Sequence, residues 1–371
     1  MLPTPRTVVV AMSGGVDSSL AAALLVEQGH RVIGVTMKTF CYSENAGPTR
    51  TCCGLDGIMD ARRVCDMLDV PHYVFDMEES FGAAVIDDFV GEYAAGRTPN
   101  PCVRCNSNTK IPELLRRARG LGADTIATGH YARILRGGDR ITLARSFDTK
   151  KDQTYFLWAL PRGVLPFLEF PVGELTKPEV RERARALGLI TADKPESQEI
   201  CFVPTGDYAD FLARRLGDDH AALQPGELVD ANGAVIGEHT GFARYTVGQR
   251  KGLGGGKRQP LYVLQVLPAS RQVVVGTREQ LDAERVVADT LNWLGERIPA
   301  PGERVRVQIR HGARPADATV ETIGDGRIAL RLDAVLRAVT PGQSAAIYEG
   351  DVLLGGGLIA SAAVAGASAA A

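Results

Sequence analysis

The stretch TPNPCVRCNSNTK, residues 98–110, sets two thiols two residues apart, at Cys102 and Cys105. A pair with this spacing can bind metal, exchange electrons or supply a nucleophile, and each use needs the thiolate rather than the thiol. An ordinary thiol of pKa about 8.5 is only a few per cent ionised at neutral pH, so a chemical role requires an electropositive setting. Arg104, beside Cys105, can contribute to one. Proline and asparagine around the pair give the stretch the look of a loop. Taken by itself, the pair does not choose among metal, redox and nucleophilic chemistry.

A second chemical feature is AMSGGVDSS, residues 11–19. Gly14 and Gly15 let the backbone turn tightly and expose N–H groups, while Ser13, Ser18 and Ser19 add hydroxyls beside a helix N-terminus carrying about half a positive charge. This pattern is an anion cradle. It lacks the lysine of a P-loop and the glycine spacing of a dinucleotide fingerprint. Asp17 inside an anion site would repel phosphate unless a divalent cation bridged them, which points to Mg²⁺ beside a polyphosphate.

Both features need elements to hold them. TVVVAM, residues 7–12, is a continuous apolar run expected as a strand buried on both faces of a parallel sheet. SSLAAALLVEQGH follows as a helix with Gly29 at its C′ position, and RVIGVTM as the next strand, making a β-α-β unit over residues 7–37. GIMDARRVCDMLDV and IPELLRRARGLG read as helices leading into the strands PHYVFDM and DTIATGHYA. The alternation predicts an α/β, doubly wound parallel sheet with its chemistry at the carboxyl ends of the strands. Farther on, KPEVRERARALGL is helical, GELVDANGAVIGEH is a hairpin turning at Asn232-Gly233, and TVGQRKGLGGGKRQP is a basic glycine-rich loop. From about residue 290 short alternating segments predict a small β-barrel, and the tail ASAAVAGASAAA is expected to fray. The expected divisions are 1–215, 216–290 and 291–371.

Composition narrows the classes. With 371 residues, 45% hydrophobic and 23% charged residues, the sequence is that of a globular protein of two or three domains, neither disordered nor fibrous. A net charge of −2 excludes a globally basic nucleic-acid coat and leaves room for a local basic face. No stretch has the roughly 20 strongly apolar residues of a membrane helix, and no secretory signal is visible, so a cytoplasmic location is expected. Seven cysteines form no regular framework. Cys41 and Cys65 read as small buried hydrophobes, Cys52-Cys53 as incidental, and Cys201 by its own context as a core residue.

SGGVDSS after a strand resembles the signature of the PP-loop ATP pyrophosphatases, which cleave ATP between its α and β phosphates and adenylate a substrate oxygen. Together with TPNPCVRCN, ATGHYAR, KDQTYFLW, SQEICFVP, YTVGQRKGLG and RHG, it resembles the MnmA/TrmU family of tRNA-specific 2-thiouridylases over almost the whole chain. The resemblance implies an ATP site at Ala11, Met12, Ser13, Gly14, Gly15, Val16, Asp17, Ser18, Met37 and Gly129. It implies tRNA contacts at Asn100, Pro101, Cys102, His130, Lys151, Asp152, Gln153, Arg310, His311 and Gln343. Cys105 would be the nucleophile and Cys201 the persulfide carrier, with Asp17 serving adenylation. No residue is assigned as a resident metal ligand. The partners implied are tRNA and a sulfur-relay protein or cysteine desulfurase, and the protein is expected to be a monomer.

One position departs from the family. Three residues before the nucleophile it often carries Asp, where this chain has Cys102. A thiol is a poorer base and cation ligand at neutral pH than a carboxylate. Cys102 is thus a spare thiol, a resolving partner, or a third ligand with Cys105 and Cys201 for an iron-sulfur cluster, as in some related thiolases. Basic text at LLRRARG and GQRKGLGGGKR would serve RNA phosphates, and chemistry on a stacked wobble base requires extruding it. Two other classes stay open: a PP-loop synthetase adenylating a different substrate, and an RNA-binding or redox protein built on the CxxC pair.

Overall fold

The computed structural model describes residues 4–40, 55–138, 140–196, 200–203, 208–253 and 260–364. The expectations for Cys41, Cys52 and Cys53 therefore lie outside the described residues, as does part of the glycine-rich loop. The chain forms two compact units, one of Met1–Val85, Cys102–Gly206 and Asp351–Leu353, the other of Ile86–Pro101, Asp207–Gly350 and Leu354–Ala371.

The first unit is built on β1 (Thr7–Ala11), whose Val8, Val9 and Val10 are fully buried. It pairs in parallel with β2 (Arg31–Lys38) on one side and β4 (Thr125–Thr128) on the other, Val9 facing Ile33 and Ile126. The edges are β3 (His72–Asp76) and β7 (Leu168–Glu169), giving the order β3-β2-β1-β4-β7 with every pair parallel. Side chains alternate across a strand, so Val8 and Val10 share one face. There they pack with α1 (Val16–Glu27), α2 (Leu55–Met67) and α7 (Lys177–Ala186). The opposite face receives α6 (Ile111–Gly120), which buries Ile111, Leu114, Leu115 and Ala118 and packs on β4. The sheet is doubly wound, as the alternation predicts.

Helix α1 buries Leu20, Ala21, Ala22, Ala23 and Leu25, because it is enclosed between the sheet and α7. Each fully buried leucine contributes about 2 kcal/mol. Its end is a Schellman turn: Gly29, at φ +80°, donates to the Val26 carbonyl and His30 donates to that of Leu25. A hairpin of β5 (Ala132–Gly137) and β6 (Arg140–Arg145) leaves the sheet, and Ala144 pairs with Val352.

The cysteine stretch is a helix and not the expected loop. Short α5 (Pro101–Arg104) continues into a π-helical segment, Cys105–Lys110, and then into α6. Pro101 stands at the first helical position, where its missing N–H costs nothing.

In the second unit α4 (Asp87–Ala94), which follows short α3 (Glu78–Phe81) of the first, packs on α8 (Tyr208–Leu216). Tyr93 stacks on Tyr208 at 4.8 Å. A four-stranded sheet has the order β10-β11-β8-β9, from β8 (Gly226–Val229), β9 (Val235–His239), β10 (Tyr262–Leu267) and β11 (Gln272–Gly276). The β8–β9 turn is where Asn232-Gly233 places it: Gly233 has φ +86° and the Asp230 carboxylate accepts from the Asn232 and Ala234 amides. A six-stranded antiparallel barrel follows: β12 (Asp282–Trp293), β13 (Arg304–Gln308), β14 (Ala316–Gly324), β15 (Arg327–Arg337), β16 (Ser344–Glu349) and β17 (Val352–Val364). Its order is β12-β15-β14-β13-β16-β17, closed by β17 on β12. That closure corrects the expected fraying from Ala360, since Ser361–Val364 pair with Val287–Ala283. Barrel closure uses backbone groups, so small side chains are no obstacle.

Candidate active site of the first unit

The phosphate loop occupies the carboxyl end of β1. The Met12 amide still donates to the Val35 carbonyl before the chain turns through Ser13, Gly14 and Gly15 into α1. Gly14 has φ +70°, and a Cβ there would collide with the Gly57 carbonyl. Gly15 is the N-cap, and no side chain caps the helix. Two of the three serines expected in the cradle shape the loop from within: Ser18 and Ser19 are buried and donate to the Gly15 carbonyl at 3.1 and 2.9 Å. The Ser13 amide in turn donates to Ser18 Oγ at 3.2 Å.

Two cavities flank this loop and share Ser13, Asp17 and Gln153. The smaller, about 220 Å³, is walled by Ala11, Met12, Ser18, Met37, Lys110, Ile111, Leu114, Thr128, Gly129 and His130. Its apolar walls and polar rim suit a heterocyclic base and sugar. The larger, about 610 Å³, is lined by Gly14, Gly15, Val16, Asp56, Asp60, Arg63, Tyr131, Lys151, Lys177, Lys194 and Glu196 among others. Its cations and helix N-terminus suit phosphates. Gly129 lies so close to α1 that a Cβ would stand 2.6 Å from the Ser18 nitrogen.

Sequence reasoning missed the charges around Asp17. Lys177 Nζ lies 2.7 and 2.8 Å from its two carboxylate oxygens, and the Tyr131 hydroxyl donates to it at 2.8 Å. Lys177 also reaches Glu196 at 3.1 Å, and Lys151 pairs with Glu196 at 2.7 Å. Burial raises the Glu196 pKa, but the hydrogen bonds from Lys151 and Lys177 outweigh it and hold the carboxyl below its ordinary value. Lys194 Nζ donates to the Gly14 carbonyl at 2.9 Å and to Asp60 at 2.6 Å. Asp17 is thus compensated by a lysine 160 residues away, so the premise that it needs a bridging cation falls.

His130 is half-buried against the smaller cavity, its Nδ1 2.7 Å from Thr128 Oγ1. Burial, and after it the Lys110 ammonium, hold the imidazole down to about 3. Among the thiols, Cys105 is buried, Cys102 exposed and Cys201 half-buried. Burial pushes Cys65 up to about 12, in keeping with an inert core thiol. Among the described residues no three His, Cys, Asp or Glu side chains gather to hold a metal ion. Cys102, Cys105 and Cys201 thus do not form the three-thiolate set that an iron-sulfur cluster would need.

The chain is 50% identical over 364 residues to the tRNA-specific 2-thiouridylase MnmA of Geobacter metallireducens, covering 96% of this chain and 97% of that one. It is 48% identical over 369 residues to the protein of the same name from Rhodospirillum centenum, covering 97% and 93%. The chain belongs to the tRNA-specific 2-thiouridylase family. Family models described as tRNA methyl transferase HUP domain, tRNA methyl transferase PRC-barrel domain and aminomethyltransferase beta-barrel domain match residues 6–205, 209–277 and 283–359. A solved 4-thiouridine synthetase–RNA complex with bound ATP aligns with a TM-score of 0.34 at 15% identity, covering 57% of this chain and 51% of that one.

The residues that family resemblance gives to tRNA fall in several settings. Lys151, Gln153 and His130 line the cavities just described. Asp152 does not fit a surface contact: it is buried and its carboxylate accepts from Arg145 Nε, the Ser146 amide and Thr154 Oγ1. It fixes the turn that carries Lys151 and Gln153. In the second unit, Arg310 and His311 are exposed between β13 and β14. Gln343 donates to the carbonyls of Thr98 and Pro99, at 2.9 and 3.2 Å, and so anchors the segment that leads into Asn100 and Pro101. Nothing local in the sequence announces that pairing, which spans 245 residues.

Proposed function

We propose that this chain catalyses ATP-dependent 2-thiolation of the wobble uridine of tRNA. The observation that carries this reading is a nucleotide-sized pair of cavities around SGGVDSS in the unit that also holds Cys105 and Cys201. The uridine C2 carbonyl is a poor electrophile. Its O2 attacks the α-phosphorus of ATP, the α–β bridging bond breaks, and pyrophosphate leaves with its electron pair. Cys201 carries a persulfide delivered by an external sulfur-relay protein or desulfurase. The Cys105 thiolate attacks the Cys201 sulfur, a Cys105–Cys201 disulfide forms, and the outer sulfur departs as sulfide to C2, displacing AMP. A thiol reductant then restores both cysteines.

Ala11–Ser18, Met37 and Gly129 are assigned to ATP, and Asn100, Pro101, Cys102, His130, Lys151, Gln153, Arg310, His311 and Gln343 to tRNA. Mg²⁺ accompanies ATP, neutralising its phosphates; the Asp56 carboxylate of the larger cavity is an oxygen ligand of the type it takes. Methyl transfer, the wording of two family models, calls for neither an ATP cradle nor paired thiols. We assign a cytoplasmic monomer with divisions at 1–215, 216–290 and 291–371; among the described residues no helix is long and apolar enough to cross a membrane. Pyrophosphate release from ATP that depends on tRNA, with 2-thiouridine appearing when a persulfide donor is added, is the expected result. Release that ignores tRNA would refute the proposal.

A further inference from the structure

We infer that Lys110 is a catalytic cation of the adenylation step, its ammonium meeting the α-phosphoryl oxygens as the uridine oxygen attacks. The inference rests on the thiolation reading above.

Attack at the α-phosphorus spreads negative charge over that phosphoryl group, and a cation held in place stabilises it. Three lysines, Lys151, Lys177 and Lys194, line the larger cavity. They stand where the outer phosphates would lie. In the smaller cavity the Lys or Arg side chain among the described residues is Lys110, which shares its wall with Ser13, Asp17, Gly129 and His130. Because Ser13 and Asp17 border both cavities, an α-phosphate joining a base in one to phosphates in the other passes within reach of this wall. His130 cannot supply the charge, since its imidazole stays neutral at physiological pH.

The backbone explains why Lys110 is there. Cys105–Lys110 is π-helical, with i to i+5 hydrogen bonds, so residues five apart lie about one turn above each other. In an α-helix the same spacing would leave the two side chains roughly 140° apart. The wider turn brings Cys105 and Lys110 nearer to one side than an α-helix would, and of the two it is Lys110 that lines the smaller cavity. Ser107 Oγ, bonded to the Val103 carbonyl at 2.9 Å, and Asn106 Nδ2, bonded to the Phe156 carbonyl at 3.4 Å, hold the segment.

The test is steady-state tRNA-dependent pyrophosphate release by wild type, Lys110→Met and Lys110→Arg, with melting temperatures and the pH profile of Cys105 alkylation. For Lys110→Met we expect kcat to fall about 100-fold while KM for ATP changes little, Lys110→Arg recovering most of the loss. A loss under about tenfold overturns the inference, as does an equal loss in both variants with a lowered melting temperature, which marks a packing role. A raised Cys105 pKa with unchanged pyrophosphate release also overturns it, moving the lysine's role to the thiol. Wild type that releases no pyrophosphate with tRNA refutes the thiolation reading instead.

Discussion

Cys105 and Cys201 divide the work only if adenylation and sulfur transfer are separable. Cys105→Ser and Cys201→Ser should each abolish 2-thiouridine formation, read by nucleoside mass spectrometry, while tRNA-dependent pyrophosphate release stays within about threefold of wild type. Persisting thiolation in either variant would reassign the thiols. His130 makes a prediction of the opposite kind, on stability. Its folded pKa, near 3, lies below the ordinary value of 6.5, so between those limits the unfolded chain binds the extra proton. Stability from this group is therefore complete above pH 6.5 and lost as pH falls, at no more than about 1.4 kcal/mol per pH unit. His130→Gln should flatten the acid side of a plot of urea midpoint against pH from 6.5 to 4. An unchanged slope would place the titration elsewhere.

At the scale of elements, the site is made by close backbone approach and by helix starts. Gly129 touches the first turn of α1, so Gly129→Ala must push that turn away from the cradle. We expect its ATP affinity, measured by calorimetry, to fall at least tenfold, roughly the effect of about 1.4 kcal/mol. Gly29→Ala is the control: nothing lies near its Cβ, so only the left-handed φ is strained, costing about 1 kcal/mol of stability and no ATP affinity. Equal affinities in the two variants would mean the approach of Gly129 is unimportant. Helix α7 works similarly. Thr176 and Glu179 form a reciprocal capping box that fixes the first residue, Lys177, against Asp17. Thr176→Ala should lower stability by about 1 kcal/mol and weaken ATP binding with it, whereas a cap serving only the helix would leave ATP affinity untouched.

At the scale of the whole molecule, the second unit is expected to serve RNA. Gln343→Ala removes two hydrogen bonds of about 1 kcal/mol each from the Thr98–Pro99 segment. It should weaken tRNA binding in a filter assay while leaving the Kd for ATP unchanged; loss of ATP affinity as well would point to general unfolding. The sequence by itself determined the parallel sheet, the phosphate loop, the Asn232-Gly233 turn and the barrel class, because each is written in local pattern: apolar runs, glycines at turns, alternation. It did not show that CVRC is helical, that Asp152 is internal or that the tail closes the barrel. Helix continuation through Cys105 depends on the packing of α6, and β17 is held by β12 through backbone bonds that no side chain reports. Least legible was the charge around Asp17. A lysine 160 residues away meets it only after the sheet is wound and α7 is laid against α1, since an ion pair is fixed by distance in space and leaves no periodic trace along the chain.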